Sequence, residues 1–176
     1  MCGICCVITV GTDTGDVQWI DDKICESLRR RGPNHSEIVQ KSLGSHNGLS
    51  CCINFSGHVL HLRGSLTPQP LQDQSGNILL WNGEIFGGIN VSEGSNDGDV
   101  LLASLKKCNE NEELLSVMCT VQGPWSFIYW QENKKYLWFG RDFFGRRSLL
   151  LHLPTCRNDS FVITSIACRP LTRSSK

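Results

Sequence analysis

Three cysteines stand among the first six residues, MCGICC, and Cys2 directly follows the start methionine. Three kinds of chemistry use such a cluster: a metal site, a disulfide network, or a thiol that works beside a free α-amine. If Met1 is removed, Cys2 carries a thiol and an α-amine with reference pKa values of ~8.5 and ~7.7–8.0, which suit proton transfer near neutral pH. Such a residue is a nucleophile with its own base. On residue type alone, a buried cysteine that begins a strand is the simpler interpretation.

The disulfide and metal hypotheses fit the rest of the sequence less well. The chain has 10 cysteines among 176 residues, below the ~8–10% typical of a disulfide scaffold. Its first residues lack the basic leader of a signal peptide, so we expect a cytoplasmic protein with free thiols. The C-x-x-C spacing of Cys2 and Cys5 lacks the second ligand pair of a structural zinc site, and we expect no metal. A module built on Cys2, Cys5 and Cys6 remains the alternative.

The charge balance argues against a nucleic-acid partner. The chain has 17 Lys and Arg residues against 17 Asp and Glu residues, which gives a formal net charge of zero. Proteins that neutralise phosphates need a basic surface. In addition, no apolar run approaches the ~20 residues that span a bilayer. We therefore expect neither a nucleic acid nor a membrane among the partners.

The segment WNGEIF, residues 81–86, ends a predicted strand with Asn82, Gly83 and Glu84. A carboxamide and a glycine N–H can direct two donors at one oxygen, which is the requirement of an oxyanion hole. The Glu84 carboxylate could receive an ammonium group. Taken alone, an Asn-Gly pair is first of all a turn signal.

Two further charged residues are candidates for binding a ligand. Arg63 stands in an apolar stretch, where a buried guanidinium needs a carboxylate partner from the protein or from a ligand. Asp97 stands where a helix is predicted to begin, and aspartate is common at helix starts for structural reasons. The residues themselves leave both interpretations open.

The hydrophobic pattern predicts many short strands and few helices. Strands are predicted over residues 2–9, 50–55, 58–66, 77–82, 124–130, 136–141, 148–153 and 160–167, and helices over 19–31, 95–107 and 112–118. Many antiparallel strands with a few amphipathic helices are typical of an α+β domain with helices on the outer faces of its sheets.

Six short blocks, in a fixed order, resemble one protein family. They are MCGI at 1–4, RGPNHS at 31–36, LRGSLTPQPL at 62–71, NGEIF at 82–86, NDGDVLL at 96–102 and GRDFFGRRSLL at 140–150. The set resembles the glutaminase domain of class II, N-terminal-nucleophile glutamine amidotransferases, in particular the asparagine synthetase branch. The sequence departs from the family pattern at Asn34, where the RGPD segment has an acid, and at Phe86, where the family has tyrosine.

The resemblance implies a four-layer αββα sandwich of antiparallel sheets. Residues 2–167 would form the type 2 amidotransferase domain, and residues 168–176 an irregular tail. The family domain runs somewhat further, which is consistent with truncation at the C-terminus. The S-G-G-x-D-S loop that binds ATP in the synthetase half has no counterpart in this sequence, so we expect the ATP-binding synthetase domain to be absent.

The resemblance also implies a role for each candidate residue in hydrolysing the side-chain amide of glutamine. Three residues would act on the amide: the nucleophile Cys2, whose α-amine is the general base, and the oxyanion donors Asn82 and Gly83. Three charged residues would bind the ends of the amino acid: Arg63 its α-carboxylate, and Glu84 and Asp97 its α-ammonium. No cofactor is expected, and a synthetase domain or partner chain would take the ammonia. The alternative is a regulatory or interaction domain that keeps the fold without turnover.

Overall fold

The computed structural model describes residues 1–11, 22–62, 65–156 and 159–167. Within these ranges the chain forms nine strands and three helices. In chain order they are β1 (Gly3–Gly11), α1 (Asp22–Arg31), β2 (His35–His46), β3 (Leu49–Val59), β4 (Leu71–Gln72), β5 (Ile78–Gly83), α2 (Asp97–Leu105), α3 (Asn111–Thr120), β6 (Trp125–Gln131), β7 (Tyr136–Arg141), β8 (Leu150–His152) and β9 (Phe161–Thr164).

The first sheet has the strand order β2-β3-β1-β9-β8 and is antiparallel throughout. Its central strand β1 pairs with β3 on one side, where Gly3 lies opposite His58, and with β9 on the other. A tight turn at Asn47 and Gly48 joins β2 to β3, and both residues have positive φ, at 52° and 73°. Turns of this kind match the twist of a hairpin. The sequence from Cys2 onward therefore enters the middle of a sheet.

The second sheet has the strand order β4-β5-β6-β7 and is also antiparallel. Its strand β7 begins and ends where the alternation of the sequence predicted a strand, at Tyr136 and Arg141. Strand β5 ends at Gly83, so Asn82 and Gly83 close a strand rather than form the turn that their types alone favour.

Three apolar clusters show how these elements form layers. One cluster joins the inner faces of the two sheets, for example Phe55 of β3 with Leu80 of β5. A second packs the outer face of the second sheet against α2 and α3, and a third packs Val7 of β1 against Leu28 of α1. The order helix, sheet, sheet, helices is the expected αββα sandwich, and the predicted α+β class is confirmed.

The structure corrects the predicted strands in one region. The strands predicted over 50–55 and 58–66 are largely one strand, β3, which continues through Gly57 and ends at Val59. Gly57 is not a turn residue: a Cβ placed on it would lie 2.5 Å from the main chain of Gln69, so glycine permits a close approach of two backbones. The first part of the helix predicted over 19–31 and the predicted tail 168–176 lie outside the described residues.

Candidate active site

One cavity lies where β5 ends and where the chain enters β1. Its lining includes five of the six residues that the sequence singled out, namely Cys2, Asn82, Gly83, Glu84 and Asp97. These residues come from distant parts of the chain and from both sheets, so the fold assembles the cavity. The sixth residue, Arg63, lies outside the described residues, but its neighbours Leu62 and Ser65 line the same cavity.

Cys2 lies one residue before β1, and its side chain is half-buried. The backbone N–H of Leu60, the first residue after β3, donates a hydrogen bond to Cys2 Sγ at 3.4 Å. Gly3, the next residue, allows α1 to approach, because a Cβ there would lie 2.5 Å from the carbonyl oxygen of Leu28. These contacts hold the thiol at the cavity wall.

The α-amine of Met1 lies beside the same thiol. Burial lowers the pKa of this amine, the charge on Cys2 opposes that effect, and the guanidinium groups of Arg147 and Arg31 lower the pKa further. Glu84 acts weakly in the opposite direction. An amine with a lowered pKa is more often neutral, and a neutral amine can accept a proton.

Asn82 is buried, with 1% of its surface exposed. Among the residues that the structure describes, its side-chain nitrogen Nδ2 has no hydrogen-bond partner. Buried polar groups without a partner are rare and costly, so this amide is a donor available to a group that enters the cavity. Without such a group, the unpaired amide destabilises the folded state.

Gly83 has no room for a side chain. A Cβ at this position would lie 2.7 Å from Trp125 Cβ and 2.8 Å from the carbonyl oxygen of Pro124. Strand β6 therefore packs directly against the residue that follows Asn82. This packing fixes the direction of the peptide between the two candidate oxyanion donors.

Glu84 has a partner that the sequence did not predict. Arg147 Nη2 donates a hydrogen bond to Glu84 Oε1 at 3.0 Å, and the two side chains are 16% and 29% exposed. Arg147 also lines the cavity, and its Nε is buried without a partner among the described residues. It belongs to the GRDFFGRRSLL block, which was the available signal, but the residues themselves gave it no role.

A compact loop before Arg147 positions that side chain. Asp142 accepts hydrogen bonds from the backbone N–H groups of Phe144 and Arg146, both at 3.1 Å. Directly after Arg147, Ser148 Oγ donates to the carbonyl oxygen of Ser165 at 2.6 Å. Ser165 Oγ in turn accepts from the Ile4 N–H at 3.0 Å. Arg147 is thus tied to the strand that follows Cys2.

Asp97 is the first residue of α2 and is buried. Its Oδ2 accepts a hydrogen bond from the Ile85 N–H at 2.8 Å, which joins the helix start to the segment after β5. The neighbouring Asn96 caps the helix, since its Oδ1 accepts from the Gly98 N–H at 2.8 Å. The Asp97 carboxylate therefore has a structural contact at the edge of the cavity.

Asn34, which replaces the family's acidic residue, also supports the cavity. Its Oδ1 accepts a hydrogen bond from the His61 N–H at 2.9 Å, and its own N–H donates to the Val59 carbonyl at 3.0 Å. His61 lines the cavity. An amide oxygen accepts a hydrogen bond here as a carboxylate oxygen would.

The alternative metal module finds no geometric support in the part of the chain that the structure describes. There, no group of three or more His, Cys, Asp and Glu side chains lies close enough to hold a metal ion. Cys5 and Cys6 pack on opposite faces of β1, in two different apolar clusters. Across the same described ranges, no helix has the length and apolarity that crossing a bilayer requires.

No family model matches the chain, but comparison with curated sequences finds relatives. It is 48% identical over 166 residues to asparagine synthetase domain-containing protein 1 from Homo sapiens, covering 94% of this chain and 25% of the relative. The protein of the same name from Gallus gallus is 45% identical over 167 residues, covering 95% and 26%. The chain is a relative of asparagine synthetase domain-containing protein 1. It spans about a quarter of the length of the curated relatives it matches.

Comparison with solved structures agrees on the fold. The chain superposes on glutamine phosphoribosylpyrophosphate amidotransferase from B. subtilis, solved with ADP and GMP, with a TM-score of 0.57 and 18% identity. The match covers 93% of this chain and 42% of that one. At this identity the likeness concerns the fold alone. Together with the curated relatives, it confirms the resemblance to class II amidotransferases, and the chain is a glutamine-amidotransferase-like domain.

Proposed function

We propose that this chain hydrolyses the side-chain amide of glutamine to glutamate and ammonia, with Cys2 as the nucleophile after removal of Met1. The observation that carries the proposal is the cavity that joins the Cys2 thiol to the unpartnered Asn82 amide. A thiol, an amine that can take its proton and oriented donors are the groups that acyl transfer from an amide requires. Removal of Met1 would put that amine on Cys2 itself. A buried structural cysteine would need none of these neighbours.

The proposed reaction has two steps. The α-amine of Cys2 takes the thiol proton, directly or through a water, and the sulfur attacks the amide carbon. Asn82 Nδ2 and the Gly83 N–H stabilise the oxyanion of the tetrahedral intermediate, which collapses to a thioester as the proton passes to the departing ammonia. Water then attacks the thioester, glutamate leaves, and the proton returns to the sulfur.

Charged residues at the cavity edge would position the amino acid for this attack. Arg63 would pair with the α-carboxylate, and Glu84 and Asp97 with the α-ammonium. Holding both ends of a substrate turns a bimolecular encounter into an intramolecular one. The Arg147–Glu84 ion pair adds a requirement: the ammonium must share Glu84 with a guanidinium that is already bound to it.

In the full-length relatives, the remaining three quarters of the chain are available for other activities. We propose that a synthetase domain or partner chain receives the ammonia, in the cytoplasm, where thiols stay reduced. Asparagine synthesis by this chain alone is not expected, because its sequence has no ATP-binding S-G-G-x-D-S loop.

A non-catalytic regulatory or interaction domain is the second candidate. The observation that favours it is that both acids proposed to bind the ammonium already have partners, Glu84 in Arg147 and Asp97 in the Ile85 N–H. Such a domain would bind an amino acid weakly or not at all and would release no ammonia. It would also have no need to lose Met1.

Two measurements on the same preparation distinguish the hydrolase from the non-catalytic domain. Intact mass spectrometry determines whether Met1 is removed, and an assay of glutamate and ammonia release measures turnover of glutamine. Cys2→Ala removes the nucleophile, and Cys119→Ala is the matched control, because Cys119 is exposed on α3 and does not line the cavity. We expect turnover in the wild type and in Cys119→Ala, and none in Cys2→Ala.

Two results would contradict the proposal. Equal turnover by Cys2→Ala and wild type would remove Cys2 from the chemistry. A mature chain that retains or acetylates Met1 and releases no ammonia would favour the non-catalytic domain.

A further inference from the structure

Gln69 lines the cavity, yet the proposed reaction gives it no role. Its side chain is buried, with 6% of the residue exposed. Both ends of its carboxamide bind one residue: the Trp81 N–H donates to Gln69 Oε1 at 2.7 Å, and Gln69 Nε2 donates to the Trp81 carbonyl at 2.9 Å. Trp81 directly precedes Asn82.

The two hydrogen bonds take the place of backbone pairing between β4 and β5 at Trp81. Strand β4 pairs with β5 through Leu71 opposite Leu79, and the same register places Gln69 opposite Trp81. The backbone pairing of β4 with β5 stops at Leu71. The Gln69 carboxamide supplies one donor and one acceptor in place of the backbone. The last hydrogen-bonded position on this edge of β5, before the candidate oxyanion donors, therefore depends on one side chain.

The main chain of Gln69 rests against the other sheet. A Cβ on Gly57 would lie 2.5 Å from both the carbonyl carbon and the carbonyl oxygen of Gln69, so the two backbones touch. Gly57 of β3 lies opposite Ile4 of β1, two residues from Cys2. Gln69 thus contacts the sheet that carries the nucleophile through its backbone and the sheet that carries Asn82 through its side chain.

We propose that Gln69 is a positioning residue for amide hydrolysis: it sets the distance and direction of the Asn82 and Gly83 donors relative to the Cys2 sulfur. The inference rests on the proposed function. Gln69 itself does not touch the reacting atoms. Its effect passes through the Trp81 peptide, and a misplacement of about 1 Å in such a site can cost on the order of 10²-fold in rate.

Two variants of Gln69 test this role. Gln69→Leu introduces an apolar side chain of similar size and leaves the Trp81 N–H and carbonyl unpaired. Gln69→Glu keeps the shape, and only its protonated carboxyl can both donate to the Trp81 carbonyl and accept from the Trp81 N–H. Gln72→Glu is the matched control. It makes the same chemical change as Gln69→Glu, but at an exposed position of β4.

The readouts are kcat and KM for glutamine across pH, and the rate at which iodoacetamide alkylates Cys2, followed by mass spectrometry. Alkylation needs the thiol but no oxyanion donors. The other ionisable groups of the cavity that the structure describes are common to all variants, namely the N-terminal amine, Cys2, His61, Glu84, Asp97 and Arg147. The ratio of variant to wild-type kcat at each pH therefore isolates position 69.

We expect Gln69→Leu to lose on the order of 10²-fold in kcat, with KM and Cys2 alkylation close to wild type. We expect the relative kcat of Gln69→Glu to rise as pH falls, while Gln72→Glu follows the wild type throughout. Wild-type kcat in both Gln69 variants, or an equal loss of alkylation and turnover, would overturn the inference while leaving the proposed function intact. A wild type that is alkylated at Cys2 but never turns over glutamine would refute the proposed function and this inference with it.

Discussion

Asn82→Ala is expected to remove activity without removing stability. The Asn82 amide is buried, and its Nδ2 has no partner among the described residues. Such a group costs the folded state about 1–3 kcal/mol, which the alanine variant recovers. The small cavity left behind costs roughly 1 kcal/mol. The two effects nearly cancel, so the free energy of unfolding should stay the same or rise slightly, whereas loss of an oxyanion donor should lower kcat by ~10²–10³.

Asn77→Ala provides the contrast, because Asn77 is a buried asparagine whose amide is fully used. Its Nδ2 donates to Asp73 at 2.8 Å, and its Oδ1 accepts from the Glu132 N–H at 2.9 Å. Losing both bonds should cost about 2 kcal/mol, which corresponds to a fall of roughly 4–8 °C in Tm. Its kcat should match the wild type, since it does not line the cavity.

Thermal melting and glutaminase kinetics on the same preparations decide the matter. If Asn82→Ala melts as far below wild type as Asn77→Ala does, the Asn82 amide serves packing rather than catalysis. Wild-type kcat in Asn82→Ala would be equally damaging to the proposed oxyanion site.

Two further predictions concern substrate binding and acid stability. Arg63→Ala should raise KM for glutamine strongly and change kcat less, because it removes a partner of the α-carboxylate, and steady-state kinetics with unchanged KM would contradict this. His58 is buried between Ser36 and Ser56, and burial, with the charge of Arg29, lowers its pKa to about 4. The unfolded chain therefore takes up this proton first, and the free energy of unfolding should fall by up to about 3 kcal/mol as pH drops from about 6.5 to about 4. Chemical denaturation across this range should show a shallower fall in His58→Gln, and parallel curves would refute the assignment.

The fold could be predicted where the pattern was local and strong. Strand β7 and helices α2 and α3 follow alternation or helical spacing in their own segments, and the structure has them within two residues of the predicted bounds. Strand β2 was missed because it is an exposed edge strand whose polarity does not alternate. A bulge between Ser42 and Gly44 shifts its register further. Its stability comes from pairing with β3, which no local pattern records.

The residues of the candidate site were likewise predictable only where the signal was local. Cys2 and Asn82 carry their chemistry in their types and in the motifs around them, so a sequence can point to them. The contact between Arg147 and Glu84 joins residues 63 positions apart, and the Gln69 contact depends on where a two-residue strand stops. Both roles exist only once two sheets are packed.

The position of Met1 at the wall of the cavity has a practical meaning for anyone who produces this protein. Residues added before Cys2 would start at this wall, beside the thiol. An affinity tag or fusion partner joined at that end would keep the α-amine off Cys2, so such a preparation would be a poor test of the proposed hydrolysis.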